Sequence, residues 1–298
     1  MTLQQLYDEF LYIKRLAGLE AGTVTNYERT LILMVQYIGA DLSVSNLTFK
    51  TVSSYIMSLY DKPISKATIS SYVRNVKIFF RWVATEYELP FDPLKIRVPK
   101  PPKKIVHIYS DAEIQLIFHL TSTSVPWITA RNRLIIALML DSGLRQMEVC
   151  NLMHQNINTE SMTMKVTGKG AKDRFVSLGQ TSLHLLDGYI DLCPYSGSKY
   201  IFYDRRGNRL SGNAIRLFVS RLEQQLGFPL SSHKLRHNFA TNFCIDNVRR
   251  TGNSHVYDLS ILMGHESIET TKKYEHFAHE IIAAENSISH LDKVYKPL

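Results

Sequence analysis

Residues 231–241 read SSHKLRHNFAT, and the pattern around them predicts a helix over 234–246. His233 and His237 stand four apart, so a helix would turn both rings to one side. Two such histidines can hold a metal, but the zinc-protease pattern needs Glu directly after the first of them, and Lys234 stands there. Outward from this stretch, helical periodicity dominates the second half of the chain, at 127–141, 181–193, 211–227 and 255–263. Ser110 followed by Glu113 is a capping-box signature for a further helix from about 111. One hairpin interrupts the helices around 162–178, where MTMKV and RFVSL alternate about a Gly-Lys-Gly turn. KYIFYD (199–204) is read as a short strand. The predicted fold is mainly α with one small antiparallel β-sheet.

The first half is helical too. Val24, Tyr27, Leu31, Val35 and Ile38 keep a helical period, as do Ile69, Val73, Val76, Phe80 and Val83. Leu3, Leu6, Tyr7 and Phe10 begin another helix, and Val52, Tyr55, Ile56 and Leu59 a fourth, enough for a four-helix bundle. On the helix near 66–86, Ser70, Arg74, Lys77 and Arg81 are expected on one face opposite the apolar stripe. Such a face is ordinarily only wet; on a DNA-binding domain it suits the major groove. Between the halves, FDPLKIRVPKPPKK (91–104) sets Pro93, Pro99, Pro101 and Pro102 among Lys95, Arg97, Lys100, Lys103 and Lys104. Prolines stiffen this segment and forbid helix. It is read as a solvated linker whose basic side chains can follow a phosphate backbone. The expected division is 1–90 as an N-terminal helical domain, 91–108 as a basic linker, and 109–298 as a C-terminal domain.

Composition narrows the class. A chain of 298 residues accommodates two domains, and a formal net charge of +8 suits a polyanionic partner. Cys150, Cys193 and Cys244 are widely spaced, which fits buried thiols in a reducing compartment better than a disulfide framework. No apolar run approaches bilayer length and no signal-peptide pattern opens the chain, so a cytoplasmic protein with no membrane partner is expected, nucleoid-associated through its polyanionic partner. The first helix is expected to begin almost at Met1, so no additional N-terminal module is expected.

Six residues of the second half suggest a specific chemistry. They are Arg145 in LDSGLRQMEV, Lys169 in VTGKGAKDRF, His233 and Arg236 in HKLRH, His265 in LMGHES, and Tyr274 in ETTKKYEH. A phosphodiester under attack gathers negative charge on its non-bridging oxygens, and two guanidiniums offer planar donor forks that stay charged. A tyrosine can act as nucleophile if its proton is removed or its anion is stabilised by nearby cations. The leaving 5′-oxygen needs a proton, which the Lys169 ammonium can supply. His233 and His265 can donate to the phosphate or handle the tyrosine proton. Taken singly, each has a plain explanation. Tyr274 is one of 16 tyrosines, Arg145 can close a helix after Ser142-Gly143, and hairpin lysines such as Lys169 are usually just solvated. GKGAK lacks the spacing and the terminal Ser/Thr of a phosphate-binding P-loop. The weight lies in the conjunction.

These segments resemble the tyrosine recombinase, or phage-integrase, family. DSGLRQMEV is similar to the TGLRxxEL segment that carries the family's first arginine, giving Arg145, with Glu148 one turn on as its buttress. GKGAKDRFVSL resembles the family's GKGxKxRxVPL hairpin and sets the catalytic lysine at Lys169 rather than Lys172. HKLRHNFAT resembles HxLRHTFAT, and MGHESIETTKKY resembles LGHxxxxTTxxY, giving His233, Arg236, His265 and Tyr274. Asn238 stands where Thr is usual, and the stretch 246–258 is longer and more polar than the common connection. The motifs cover roughly the second half of the chain. The resemblance implies a SAM-like N-terminal DNA-clamping bundle and a C-terminal catalytic domain. It implies a 3′-phosphotyrosyl intermediate at Tyr274 and strand exchange through a Holliday junction, without metal, ATP or other cofactor. It also implies a homotetramer on paired double-stranded DNA sites, with the tail after Tyr274 (Phe277, Ile281, Ile282, Ile288, Leu291) exchanged in trans. A type IB topoisomerase would share the chemistry, but it favours Lys within HKLRH and the N-terminal bundle here is short. A non-catalytic DNA-binding relative would lack some of the six residues. A helix-turn-helix regulator would leave the second half unexplained. The resemblance implies a Xer-like or transposon-borne enzyme, and the longer 246–258 stretch favours a mobile-element enzyme, integrating or excising DNA, over a housekeeping one.

Overall fold

The computed structural model describes residues 1–101, 107–168, 170, 172–287 and 294. The chain divides into two compact units, Met1–Lys104 and Ile105–Leu298.

The first unit is a helical bundle of α1 (Leu3–Leu16), α2 (Ala21–Ile38), α3 (Phe49–Ser58) and α4 (Lys66–Glu86). Thr2 and Gln5 close a capping box on α1, and the Thr48 and Ser65 side chains cap α3 and α4, so each of these helices starts on a side-chain acceptor. The apolar stripes meet in one core around Phe10, Leu31, Tyr55, Phe79 and Phe80. The four outward positions expected on α4 do not behave alike. Arg74 and Arg81 are exposed. Ser70 is buried at 2% exposure, because α4 packs over a wider arc than the apolar stripe alone indicates. Lys77 is half-buried and donates from Nζ to the carbonyls of Ile96 (2.7 Å) and Leu94 (3.3 Å). That bond fastens the start of the expected linker to the bundle. Phe91 stacks edge-on against Phe80 with ring centroids 5.3 Å apart, Ile96 is buried, and a 3₁₀ turn at Pro93–Lys95 begins on the Asp92 side chain. The expectation of a solvated linker from residue 91 is thus corrected: its apolar residues Phe91, Pro93 and Ile96 draw it onto the core. Lys100 is exposed, while Lys103 and Lys104 lie outside the described residues.

The second unit runs α5 (Asp111–Leu120), α6 (Pro126–Asp141), α7 (Gln146–Asn151), β1 (Ile157–Asn158), β2 (Thr163–Thr167), β3 (Asp173–Ser177), α8 (Gln180–Leu192), α9 (Gly212–Glu223), α10 (Ser232–Thr251), α11 (Val256–Met263) and α12 (Glu269–Glu285). The strands form an antiparallel sheet in the order β1-β2-β3, with Lys165 opposite Phe175. α6 is buried on every side from Leu134 to Met139 and is the axis of the main core. KYIFYD forms no named strand; Tyr200 and Tyr203 make single bridges to Met153 and Arg209. Ile201, Phe202 and Tyr203 are all buried in succession, which a strand exposed on one face does not allow. α10 runs past its expected end at 246, because its first strong stop is Gly252, in the left-handed region at φ 77 with its N–H bonded to the Val248 carbonyl. A separate cluster of Ala240, Cys244, Leu259, Met263, Tyr274 and Ala278 joins α10, α11 and α12, with Ile281 and Ile282 packed against it. Arg249 and Glu285 close this packing with an ion pair at 2.7 Å. Ile281 and Ile282 therefore pack on their own chain in the single protomer. Ile288 and Leu291 lie outside the described residues.

Candidate active site

A buried carboxylate organises the site. Gly143, left-handed at φ 61, turns the chain out of α6 so that Arg145 stands at the N-terminus of α7. Arg145 thus begins a helix and does not close one. Glu148 lies one turn on, at 4% exposure, and its Oε2 accepts the Arg145 backbone N–H at 2.7 Å. Its Oε1 accepts from Nη1 of Arg145 at 2.8 Å. Arg174 of β3 grips the same carboxylate with both ends of its fork, each bond 2.8 Å, and donates from Nε to the Leu262 carbonyl at 2.7 Å. Burial alone would raise the Glu148 carboxyl, but the bonds and charges of Arg174 and Arg145 outweigh it and hold the group at about 2. Arg236 of α10 is 5% exposed, lies 3.8 Å from Glu148, and donates to the carbonyls of Gly143 and Met263. Burial and the Arg145 charge lower it to about 10, so it remains a cation at neutral pH. Three guanidiniums converge on one carboxylate, an excess of positive charge suited to a phosphate.

Tyr274 projects from α12 beside this cluster and is 2% exposed. Burial pushes its phenol up to about 12, against the pull of Arg236 and Arg145. Its ring centroid is 5.1 Å from that of His237 and 6.5 Å from that of His265, and the Lys273 ammonium stands 4.9 Å from its centre. His265 follows the tight turn at Gly264, whose carbonyl accepts from Arg145 Nη2 at 3.1 Å. The His265 Nδ1 bonds to the Thr271 hydroxyl at 2.7 Å. His233 and His237 do face one way, and their Nε2 atoms are 2.6 Å apart. Burial first, then neighbouring cations, lowers all three histidines, His265 to about 4 and His237 to about 3. All three are neutral near pH 7. Lys273 is lowered as well, by burial and then by Arg236.

Arg145, His233, Arg236, His265, Lys273 and Tyr274 open onto a single cavity of about 740 Å³. A second cavity, of about 520 Å³, shares Arg145 and His265 and reaches Lys172 and Arg174 on the hairpin. Five of the six residues singled out in the sequence, drawn from four separate segments, thus meet at one place. The sixth, Lys169, lies outside the described residues, between β2 and β3 in the sequence. Among the described residues no group of three or more His, Cys, Asp or Glu side chains is arranged to hold a metal ion. Sequence reasoning passed over Arg174 and Lys273 and read His237 only as a candidate metal ligand. Arg174 was detectable: β3 alternates with Arg174 and Val176 inward and Phe175 outward at 65% exposure, an inversion that makes sense only if the arginine has a buried partner.

Known proteins resemble this chain in sequence and in fold. The model of the phage integrase family matches residues 109–280. The tyrosine recombinase XerC of Oceanobacillus iheyensis is 27% identical over 280 residues, covering 90% of this chain and 89% of its own. The tyrosine recombinase XerD of Ralstonia nicotianae is 29% identical over 277 residues, covering 88% and 86%. Among solved structures, the Tn1549 transposon integrase in complex with transposon right end DNA superposes with a TM-score of 0.74 at 15% identity, over 97% of this chain and 100% of that one. A lambda integrase(75-356) dimer bound to a COC′ core site gives 0.74 at 18% identity, over 92% and 95%. At that level of identity the two structures attest the fold.

Proposed function

The chain belongs to the phage integrase family of DNA breaking-rejoining enzymes, and we propose that it is a site-specific recombinase that cleaves by attack of Tyr274 on the scissile phosphodiester. The observation that carries the proposal is the convergence of Arg145, His233, Arg236, His265 and Tyr274 on one cavity. The Tyr274 oxygen bonds to phosphorus, the bond to the 5′-oxygen breaks, and the DNA 3′ end is left as a phosphotyrosyl ester. Arg145 and Arg236 neutralise the charge that grows on the non-bridging oxygens, in a site already partly shielded from water. Burial and then the neighbouring cations keep His233 and His265 neutral; the bound phosphate offsets those cations, and the Tyr274 proton passes to the His265 ring as the ester forms. Lys169 gives the leaving oxygen its proton. Energy of the broken bond is retained in the ester, so rejoining needs no ATP, and the arginines take the place of divalent ions.

On this reading the enzyme exchanges strands in pairs between two DNA sites, through a Holliday junction, as a homotetramer. The tail after Tyr274 serves as the segment exchanged between protomers. The first unit contacts the duplex through Arg74 and Arg81. A mobile-element setting fits the relation in fold to a transposon integrase. The test uses a plasmid carrying two copies of the DNA trapped on the protein. Wild type should give recombinant circles, and Tyr274→Phe should give none while still binding the DNA. Relaxation of supercoils on a one-site plasmid without recombination on the two-site plasmid would move the assignment to a topoisomerase.

A further inference from the structure

His237 has no part in the proposed cleavage step, yet it is the ring nearest to both the nucleophile and His233. It sits one helical turn beyond His233 on α10, with ring centroids 4.0 Å apart and nearly perpendicular, and its Nε2 lies 2.6 Å from Nε2 of His233. Two ring nitrogens at that distance must share one proton: one carries the N–H and the other presents a lone pair. The other His237 nitrogen, Nδ1, is buried with no hydrogen-bond partner. This decides the direction of the bond. If His233 were the donor, the proton of neutral His237 would sit on Nδ1 as an orphaned buried N–H. If His237 is the donor, Nδ1 is only an unused lone pair, which costs less. A doubly protonated His237 is opposed by the cations around it, with Arg236 on its own helix, Lys273 from α12 and Arg145 from α7 beside the paired ring.

We infer that His237 is a positioning residue for the cleavage reaction: it donates from Nε2 to Nε2 of His233 and fixes His233 as the neutral tautomer protonated at Nδ1. His233, which lines the cavity, then has Nδ1–H as its one donor toward a phosphate. Its Nε2 lone pair is occupied and cannot accept a proton until the bond to His237 breaks. His233 thus enters the reaction as a hydrogen-bond donor and not as the base for Tyr274. This role rests on the recombinase reading for its catalytic consequence, but the tautomer itself does not.

Nitrogen-15 NMR of the histidine rings in the full-length protein at neutral pH tests the tautomer without any reaction. His233 should show a protonated Nδ1 and a bare, hydrogen-bonded Nε2, and His237→Phe should release it to a mixture. A wild-type His233 protonated at Nε2, or as imidazolium, overturns the inference. The kinetic arm measures single-turnover cleavage of a nicked site. His237→Phe should slow it about tenfold or more at unchanged DNA affinity, with His237→Gln recovering most of the loss, since its amide can donate to the same nitrogen. In a His233→Ala background the same His237→Phe change should cost less than about twofold, because the two act as one unit. An undiminished cost in that background means that His237 acts without His233 and also overturns the inference. If the wild type forms no adduct at all, the recombinase reading fails while the NMR arm still decides the tautomer.

Discussion

Glu148 has no direct access to a bound phosphate, yet more of the site depends on it than on any other side chain. It is the common acceptor for Arg145 and Arg174 and the near neighbour of Arg236. Removing one member of such a buried set leaves the others uncompensated, so Glu148→Gln should cost about 3–5 kcal/mol in denaturant unfolding. The pH dependence has a definite sign. The Glu148 carboxyl lies at about 2 in the folded chain against an ordinary value of 4.5. Its contribution, on the order of 3 kcal/mol, is complete above the unfolded value and is lost as pH falls through that interval toward the folded one. Unfolding free energy measured from pH 6 to pH 2 should drop steeply in the wild type, and the Glu148-specific part of that slope should vanish in Glu148→Gln. Equal slopes in the two proteins would mean that another carboxylate carries the effect.

At the level of elements, the junctions place the chemistry. Gly143 turns α6 into α7, and its carbonyl receives Arg236. A Cβ there would meet the Phe239 ring at 2.4 Å, at a φ that side chains avoid. Gly143→Ala should therefore destabilise the fold by roughly 1–3 kcal/mol and slow cleavage further by displacing Arg236. Comparing its cleavage rate with its melting temperature separates the two effects. On the proposed mechanism the segment between β2 and β3 supplies the acid. With a 5′-bridging phosphorothiolate, whose sulfur leaves without a proton, Lys169→Ala should regain most of its lost rate and Lys172→Ala should gain little. The reverse pattern would transfer the role to Lys172, which lines the adjoining cavity. The long amphipathic helices and this hairpin were legible because their periods are strong and their caps are local. α7 was not, since six residues show too little of a period. The end of α10 was missed because polar residues continue the helix without a stop until Gly252. The candidate cluster was legible as motifs, whereas β3 marks Arg174 as inward-facing but not its partner, since the Arg174–Glu148 fork spans 26 positions. The histidine pair was visible as an i, i+4 spacing but not as a hydrogen bond.

For the whole molecule, the net charge of +8 suits a polyanionic partner, and Arg74, Arg81 and Lys100 are exposed to meet one. Arg74→Ala or Arg81→Ala should cost roughly 1–3 kcal/mol on the cognate site and relax specificity there. Lys100→Ala should weaken binding to cognate and scrambled DNA alike and lower the salt slope by about one. Lys77 belongs to neither class: its ammonium is engaged by the Leu94 and Ile96 carbonyls. Lys77→Met should therefore lower thermal stability while leaving the affinity ratio of the two sites unchanged, as a salt series on all four variants can show. The central claim, that Tyr274 is the nucleophile of a metal-independent cleavage, is tested most directly by mass spectrometry of the covalent adduct. The protein is incubated with a nicked site in excess chelator, digested, and the nucleotide-bearing peptide is sequenced. The account predicts a single modified peptide with the phosphate on Tyr274. An adduct on any other residue, or an adduct that forms only when a divalent ion is restored, would contradict it.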